Sequence, residues 1–263
     1  MTTLAHMRTG PTSHTPLLLL HALPLDSTMW DGVRHELDDV DVLTVDAPGF
    51  GASPSGQEIQ ELFGYPEPDL AAYARAIEAT LGELGIERVV LGGLSMGGAT
   101  AAIFAASRPD VVAGLALMDT NIEGDAPERR EGRLAAIALC EQGHGYDSVA
   151  SWPETMMSPQ ATLKQRESLD ARLRTLDSDS LAWMHRAMME RPDARQALRQ
   201  VSGPIALIRG ADDPTCSLEL LQSWQALAPR AKISEIEGAG HFSANERPLE
   251  LAAVLRDFYR EAV

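Results

Sequence analysis

The chain has 263 residues, of which 44% are hydrophobic, 23% are charged and 5% are aromatic. This length and composition indicate a globular chain with a large core and exclude an intrinsically disordered one. The formal net charge is -16, from 22 basic and 38 acidic residues, so the surface repels phosphate backbones and anionic membranes. We therefore expect neither nucleic acid nor a membrane as a partner.

The first strong element is an apolar run at residues 17–20, which is too short for a signal-peptide core or a membrane span. Similar short runs follow, each ending in a turn, and such runs are typical of strands buried on both faces of a parallel sheet. The predicted strands are residues 17–20, 42–45, 89–91, 111–118, 205–208 and 232–236.

Longer patterns with helical spacing lie between most of these runs. Residues 69–84 carry apolar side chains at three- and four-residue intervals, with Asp69 as a candidate N-cap and Gly85 as a candidate stop. Further helices are predicted at residues 96–108, 218–227 and 248–259, and residues 51–68 are predicted to be a surface loop with at most one helical turn. Strands alternating with helices predict a doubly wound, mostly parallel α/β sheet of about seven strands flanked by helices.

Residues 122–200 break this alternation, because they carry helical patterns at 128–141, 162–176 and 180–190 and no strand pattern. We interpret them as an α-helical lid inserted between two strands of a core formed by residues 1–121 and 201–263. The insert holds Met and Trp residues at helical spacing, which usually indicates core packing; the alternative is an apolar face that lines a substrate pocket. The pocket hypothesis names His21, Trp152, Met156, Trp183, Met184, Met188 and Phe242.

The two cysteines, Cys140 and Cys216, lie in no Cys-x-x-Cys or Cys/His cluster, so no zinc or redox site is predicted. We interpret both as reduced core residues, with a single disulfide as the alternative. This interpretation predicts a soluble cytoplasmic protein, and the sequence leaves open whether it is a monomer or a homodimer.

The strongest motif is Gly93-Leu94-Ser95-Met96-Gly97, which follows a predicted strand and opens an alanine-rich helix. This is the setting that a nucleophile elbow requires. The turn is so sharp that side chains at Gly93 or Gly97 would clash, and it projects the serine on a strained backbone. The alternative is a serine that caps a glycine-rich helix start.

A serine hydroxyl needs a base and an acid that orients the base. His241 is the candidate base, because it follows the last strand, where open α/β sheets place their sites; a structural or solvated loop histidine is the alternative. Asp212 and Asp213 both follow the strand at 205–208 and either could be the acid, with Asp213 preferred. Asp119, at the end of the preceding strand, is a third candidate.

An oxyanion formed at Ser95 also needs hydrogen-bond donors. The backbone N–H of Met96, at the start of the helix, is one predicted donor. The second is predicted to be the N–H of Leu23, in the loop after an early strand, where His21 is expected to hold the loop in place.

With these motifs the chain resembles the α/β-hydrolase superfamily over nearly its whole length, and the order Ser–Asp–His is that of the superfamily. The resemblance singles out Asp213, because the family places its acid three residues after the glycine that ends the strand. The matching segments are residues 21–30, 46–53, 93–98, 210–213 and 238–242, with Glu246 and Pro248 beyond them.

Two departures from the family pattern have structural consequences. Ala22 stands where the family usually has glycine, and its methyl group is expected to shift the oxyanion loop and narrow the pocket. Few residues precede the first strong strand, so residues 3–9 are expected to supply one strand where the family usually has a pair.

Within the superfamily the chain looks most similar to small bacterial esterases and enzymes like 3-oxoadipate enol-lactonase. A serine nucleophile argues against haloalkane dehalogenase and epoxide hydrolase chemistry. The resemblance implies hydrolysis of a small-molecule carboxylic ester or lactone through an acyl-enzyme, with no metal and no organic cofactor.

Two alternatives remain open. One is hydrolysis of a C–C bond, or cofactor-free lyase chemistry, on the same three residues. An arginine that faces Ser95 is then expected, and the insert offers Arg129, Arg130, Arg133 and Arg186. The other alternative is a ligand-binding receptor on a hydrolase fold with little turnover.

Overall fold

The computed structural model describes residues 4–263. Its sheet has seven strands in the order β1-β3-β2-β4-β5-β6-β7, and β1 is antiparallel to β3 while the other pairs are parallel. The predicted mostly parallel α/β sheet is confirmed. The strands are β1 (His6–Thr9), β2 (Leu17–Leu20), β3 (Val42–Val45), β4 (Val89–Leu94), β5 (Val112–Met118), β6 (Ile205–Gly210) and β7 (Lys232–Ile236).

The central strands are buried on both faces, as their continuous apolar sequences predict. Successive residues of β2 point alternately into two separate core clusters, because side chains alternate across a strand. The edge strands β1 and β7 are partly exposed. The strand predicted at residues 3–9 is therefore the single strand β1, and residue 3 lies outside the described residues.

Helices cover both faces of the sheet, which makes it doubly wound. Helices α3, α4 and α10 pack on one face, and α1 and α12 pack on the other. In chain order the described α-helices are α1 (Asp31–Glu36), α2 (Gly56–Phe63), α3 (Leu70–Glu83), α4 (Met96–Ser107), α5 (Pro127–Glu141), α6 (Trp152–Thr155), α7 (Leu163–Leu173), α8 (Ser178–Met189), α9 (Ala197–Gln200), α10 (Leu218–Leu227), α11 (Ser243–Glu246) and α12 (Pro248–Ala262). Of these helices, none is both long and apolar enough to cross a bilayer.

Helix α2 corrects one prediction, because it occupies eight residues of the segment predicted to be a loop. Its start is fixed by a capping box in which the Ser55 hydroxyl accepts from the Glu58 N–H and the Glu58 carboxylate accepts from the Ser55 N–H. Gly64, with φ of 72°, ends the helix. The Ser-x-x-Glu spacing is the sequence signal for this helix start, whereas the Gly, Ser and Pro residues around it favour a loop prediction.

The segment between β5 and β6 contains five α-helices, a 3-10 helix at Gly145–Ser148 and, over its described length, no strand. Helices α5, α7 and α8 lie where the sequence predicts helices, and α5 packs against α8. We call residues 122–200 the insert. Cys140, in the insert, and Cys216, in the core, are both buried and unpaired.

Candidate active site

A sharp turn between β4 and α4 carries Ser95. The serine has φ of 54° and ψ of -114°, a conformation that costs free energy and persists only when its surroundings enforce it. A Cβ atom at Gly93 would lie 2.2 Å from the Gly97 carbonyl oxygen, and one at Gly97 would lie 2.3 Å from the Leu20 carbonyl oxygen. Both glycines are therefore required where the sequence has them.

Ser95, His241 and Asp213 form one hydrogen-bonded series. His241 Nε2 lies 2.8 Å from Ser95 Oγ, and His241 Nδ1 lies 2.9 Å from Asp213 Oδ2. The other carboxylate oxygen of Asp213 accepts from the N–H of Thr215 at 2.7 Å and from its hydroxyl at 2.9 Å. Nucleophile, base and orienting acid are thus within direct reach of one another, as nucleophilic catalysis requires.

The charges of the pair His241 and Asp213 stabilise each other in a buried setting. Burial alone would lower the pKa of His241, but the charge and the hydrogen bond of Asp213 outweigh it and raise the pKa above the usual value. Burial alone would raise the pKa of Asp213, but His241 and Thr215 outweigh it and lower the pKa. Asp213 therefore favours the imidazolium that forms when His241 takes a proton.

The other two candidate acids bind elsewhere. The Asp212 carboxylate accepts from the Ser158 hydroxyl at 2.6 Å. Asp119 is fully buried and accepts from the Gly210 N–H at 2.6 Å and from the Ser243 hydroxyl. Burial, and then the charge of Asp213, raise the pKa of Asp119 well above its usual value.

The two residues predicted to donate to an oxyanion both lie near Ser95, Met96 as its neighbour in the chain and Leu23 in the lining of the same cavity. Met96 is the first residue of α4, so its N–H has no acceptor one turn earlier in the helix. Leu23 lines the same cavity as Ser95. The loop before Leu23 is held by His21, whose Nε2 accepts from the Ala47 N–H at 2.8 Å and whose Nδ1 donates to the Ala22 carbonyl oxygen at 3.0 Å.

Ala22 lies outside the cavity lining. Its methyl group lies in the core cluster, and its N–H points at the sulfur of Met29 at 3.1 Å. The methyl group therefore does not itself enter the cavity beside Ser95, because the side chain lies in the core; the expected shift of the loop stays a prediction.

A cavity of about 310 Å³ opens beside Ser95 and His241. Trp152, Met156 and Met188 line it, as the pocket hypothesis predicts. All three are apolar and come from the insert.

The other four predicted pocket residues lie outside this lining. Trp183 packs against α2, where its indole N–H donates to Gln60 at 2.9 Å, and Met184 is fully buried in the core. Phe242 packs edge-on against the His241 ring, with centroids 5.4 Å apart, and His21 is buried in its loop. The prediction that these four line the pocket is wrong for this cavity. For Trp183 and Met184 the reason is that spacing alone does not show which face of α8 meets the cavity, and for His21 and Phe242 it is that their rings pack inside their own loops.

The face of α8 toward the cavity carries His185 and Met188, one turn apart, and Arg191 follows the helix. Sequence reasoning missed His185 and Arg191. The available signal was the three-residue interval from Met188 to His185, which places both on one helical face.

The arginines of the insert divide into two groups. Arg129 and Arg133 line the cavity. Arg130 pairs with Glu190 at 2.7 Å, and Arg186 pairs with Glu141, both on the protein surface. Two of the four arginines considered from the sequence are therefore at the site.

The insert is fastened to the loop that carries His241. Glu246 Oε1 accepts from the N–H groups of Gly240 and Phe242, each at 3.1 Å, and its Oε2 accepts from the Ser158 N–H at 2.7 Å. The His241 N–H donates to the Met156 carbonyl oxygen at 2.8 Å. This part of the insert is thus bound directly to the backbone of His241 and, through Glu246, to the residues on either side of it.

Comparison with known proteins agrees with this geometry. A profile of the alpha/beta hydrolase family matches residues 17–254. The chain is 27% identical over 229 residues to the mouse sn-1-specific diacylglycerol lipase ABHD11, an alignment that covers 82% of this chain and 71% of that protein. The chain is 28% identical to the bifunctional biotin biosynthesis protein BioHC from Cellvibrio japonicus, over an alignment that covers 92% of this chain and 47% of that protein.

Solved structures are also similar. A thermophilic esterase from Thermogutta terrifontis, solved with malate bound, has a TM-score of 0.88 and 28% identity, and the match covers 98% of this chain and 93% of that one. The enol-lactonase from Burkholderia xenovorans LB400 has a TM-score of 0.82 and 21% identity, covering 98% and 96%. At 21% identity, the similarity to the enol-lactonase shows only that the two proteins share a fold.

Proposed function

Because the chain belongs to the alpha/beta hydrolase family, we propose that it is a serine hydrolase that cleaves a carboxylic ester or a lactone through an acyl-enzyme. The single observation that carries the proposal is the hydrogen-bonded series from Ser95 through His241 to Asp213. The similarity to an esterase at 28% identity over nearly the whole chain supports it.

In the first half-reaction, His241 takes the proton from Ser95 Oγ as the oxygen attacks the substrate carbonyl carbon. The N–H groups of Leu23 and Met96 donate to the oxyanion of the tetrahedral intermediate. His241 then gives the proton to the leaving alkoxide, which departs as an alcohol, or stays attached as a hydroxyl when the substrate is a lactone.

In the second half-reaction, His241 takes a proton from a water molecule, which attacks the acyl carbon of the ester on Ser95. The intermediate collapses as His241 returns the proton to Ser95 Oγ, and the carboxylic acid leaves. Asp213 stays ionised throughout and stabilises the imidazolium in both halves. The cavity of about 310 Å³ suits a small acyl or aryl ester, since it lies at the low end of ligand pockets.

Burst kinetics with 4-nitrophenyl acetate, beside a panel of esters, lactones and β-diketones, test the proposal. We expect a burst and an acyl-enzyme adduct on Ser95, and a fall in kcat of about 10⁴- to 10⁶-fold in Ser95→Ala. The matched control is Ser223→Ala, an exposed serine on α10, which leaves kcat unchanged. Absence of turnover that depends on Ser95 across the panel would contradict the proposal and favour a ligand-binding receptor.

Hydrolysis of a C–C bond, or lyase chemistry, is the second candidate. The observation that favours it is the pair Arg129 and Arg133 in the cavity lining, because such substrates often carry a carboxylate. Turnover of the β-diketones in the panel, without turnover of esters or lactones, would select this candidate.

A further inference from the structure

One wall of the cavity is positively charged, although the chain as a whole carries -16. Arg129 and Arg133 on α5 and Arg191 after α8 all line it. The Asp125 carboxylate lies between two of them, with Oδ1 2.7 Å from the Arg191 guanidinium and Oδ2 bound to Arg133. One carboxylate thus faces two guanidinium groups, and the third arginine adds a further positive charge.

Burial strengthens the effect of these charges. The side chains of Asp125 and Arg191 are 0% and 1% exposed, so water screens their charges little. Burial lowers the pKa of Arg191 to about 10; Asp125 opposes this, while Arg133 and Arg129 add to it. Arg191 therefore remains charged near pH 7, and the guanidinium groups of Arg133 and Arg129 repel it.

One carboxyl group, Asp119, lines the cavity. Burial and the charge of Asp213 raise its pKa well above the usual value. Its two oxygens are already bound to Gly210 and Ser243. The positive wall thus lacks a full counter-charge among the described residues of the cavity lining.

His185 adds a polar group with unmet hydrogen-bonding capacity to the same wall. Its Nδ1 lies 3.5 Å from an Arg133 nitrogen, and its buried Nε2 has no hydrogen-bond partner among the residues that the structure describes. Burial, followed by the charge of Arg133, lowers the pKa of His185 to about 4, so the ring is neutral near pH 7. A neutral ring keeps this wall free of a further repulsive charge.

We propose that Arg129 and Arg133 bind a free carboxylate of the substrate, so that the enzyme acts on an ester or lactone that carries a negative charge. A planar guanidinium matches a carboxylate with two parallel hydrogen bonds, and the pairing is strengthened in a partly desolvated cavity. The substrate class is then a half-ester of a dicarboxylic acid, or a lactone with a carboxylate. The inference rests on the proposed function, in which Ser95 attacks the ester carbonyl.

Binding to the Ser95→Ala variant tests the anion site without turnover. Isothermal titration compares monomethyl adipate, an anionic half-ester, with dimethyl adipate, its neutral counterpart. We expect the anionic compound to bind about tenfold more tightly or better, as a charge-assisted hydrogen bond provides. This preference should disappear when Arg129→Gln or Arg133→Gln is added.

The matched control is Arg130→Gln, because Arg130 is adjacent on α5 and pairs with Glu190 outside the cavity. It should keep the full preference. Melting temperatures identify any variant that fails to fold, and Arg129 is exposed, so its substitution leaves the core intact. Equal binding of the two adipates, a preference that survives both substitutions, or equally tight binding of inorganic phosphate overturns the carboxylate site.

Turnover by the wild-type enzyme separates this inference from the function on which it rests. We expect kcat/KM for mono-(4-nitrophenyl) adipate to exceed that for methyl 4-nitrophenyl adipate by about tenfold, chiefly through KM. If both esters are cleaved equally by Ser95, the anion site is wrong and the hydrolase proposal stands. If the anion is bound through the arginines but no ester is cleaved, the hydrolase proposal is wrong and the anion site stands.

Discussion

The two walls of the cavity are built in different ways. On the sheet side, Ser95 and His241 each follow the carboxyl end of a strand, β4 and β7, on short loops with fixed backbone geometry. On the insert side, Arg129, Arg133 and His185 are held by the packing of α5 against α8. The first wall is set by local chain geometry, and the second by contacts between residues distant in sequence.

The two walls are expected to have different roles, the sheet wall in the chemical reaction and the insert wall in the choice of substrate. In the proposed function, the sheet wall supplies the nucleophile, the base and the acid that the cleavage of any ester would require. The insert wall supplies charge and apolar surface, which distinguish one ester from another. Substitutions on the sheet side should therefore change kcat, and those on the insert side should change KM.

Of the substitutions compared here, Asp213→Asn should lower kcat the most. Asparagine keeps the shape but cannot stabilise the imidazolium, so we expect kcat to fall by about 10³- to 10⁴-fold. Asp119→Asn should reduce kcat by at most about tenfold, because its two oxygens bind Gly210 and Ser243 and it has no hydrogen bond to His241. Steady-state kinetics on one neutral ester measure kcat for both variants. A larger loss of kcat in Asp119→Asn would contradict the assignment of Asp213 as the acid that orients His241.

Glu246→Gln tests the connection between the walls. The carboxylate accepts from three N–H groups, and an amide nitrogen in its place would face one of them as a second donor. We expect kcat to fall by about 10- to 100-fold, because the backbone on both sides of His241 loses its anchor.

The matched control for this substitution is Glu250→Gln, an exposed residue in the first turn of α12. Its kcat should equal that of the wild type. Circular dichroism checks that Glu246→Gln is folded, and an unchanged kcat in the folded variant would show that Glu246 has no part in positioning His241.

Much of the fold followed from the sequence, because the elements that carry it have local causes. Continuous apolar runs predict buried parallel strands, and the glycines around Ser95 predict a turn with no room for side chains. The same reasoning grouped Ser95, His241 and Asp213, since parallel strands place their carboxyl ends at one edge of the sheet. Their catalytic roles stay predictions until variants are measured.

The insert wall resisted the same reasoning, because helical spacing does not say what a face packs against. Trp183 is a residue type that is common in ligand pockets, yet it packs against α2, a helix in a segment that the sequence predicts to be a loop. His185 and Arg191 belong to no motif and gain their position from Asp125 and Arg133 in a distant segment. Only tertiary packing brings these groups together.

Residues of the two walls should shift the pKa of His241, and with it the pH dependence of kcat/KM, in opposite directions. His241 must be neutral to accept the proton of Ser95, so kcat/KM for a neutral ester should fall about tenfold per unit as pH drops below its raised pKa. Asp213 raises that pKa, so Asp213→Asn should move the limb to lower pH. Arg129 lowers it, so Arg129→Gln should move the limb to higher pH.

Rate measurements on the neutral ester from about pH 5 to about pH 9 cover the expected limb, which lies above the usual value of about 6.5 for histidine. Arg130→Gln, whose charge is paired on the surface, should leave the limb in place. A shift of the same sign for Arg129→Gln and Asp213→Asn would contradict the electrostatic relation between the walls.

The smallest effect on activity is expected for the methionines of α8, which distinguish the cavity face of the helix from its core face. Met188 lines the cavity, so Met188→Ala should raise KM about threefold to tenfold for an ester with a long acyl chain. Met184 is fully buried away from it, so Met184→Ala should leave KM unchanged and lower the free energy of unfolding by about 2–5 kcal/mol. Urea unfolding and KM values for a short and a long ester measure both effects. Equal rises in KM for the two variants would mean that the whole helix, and not one face of it, shapes the site.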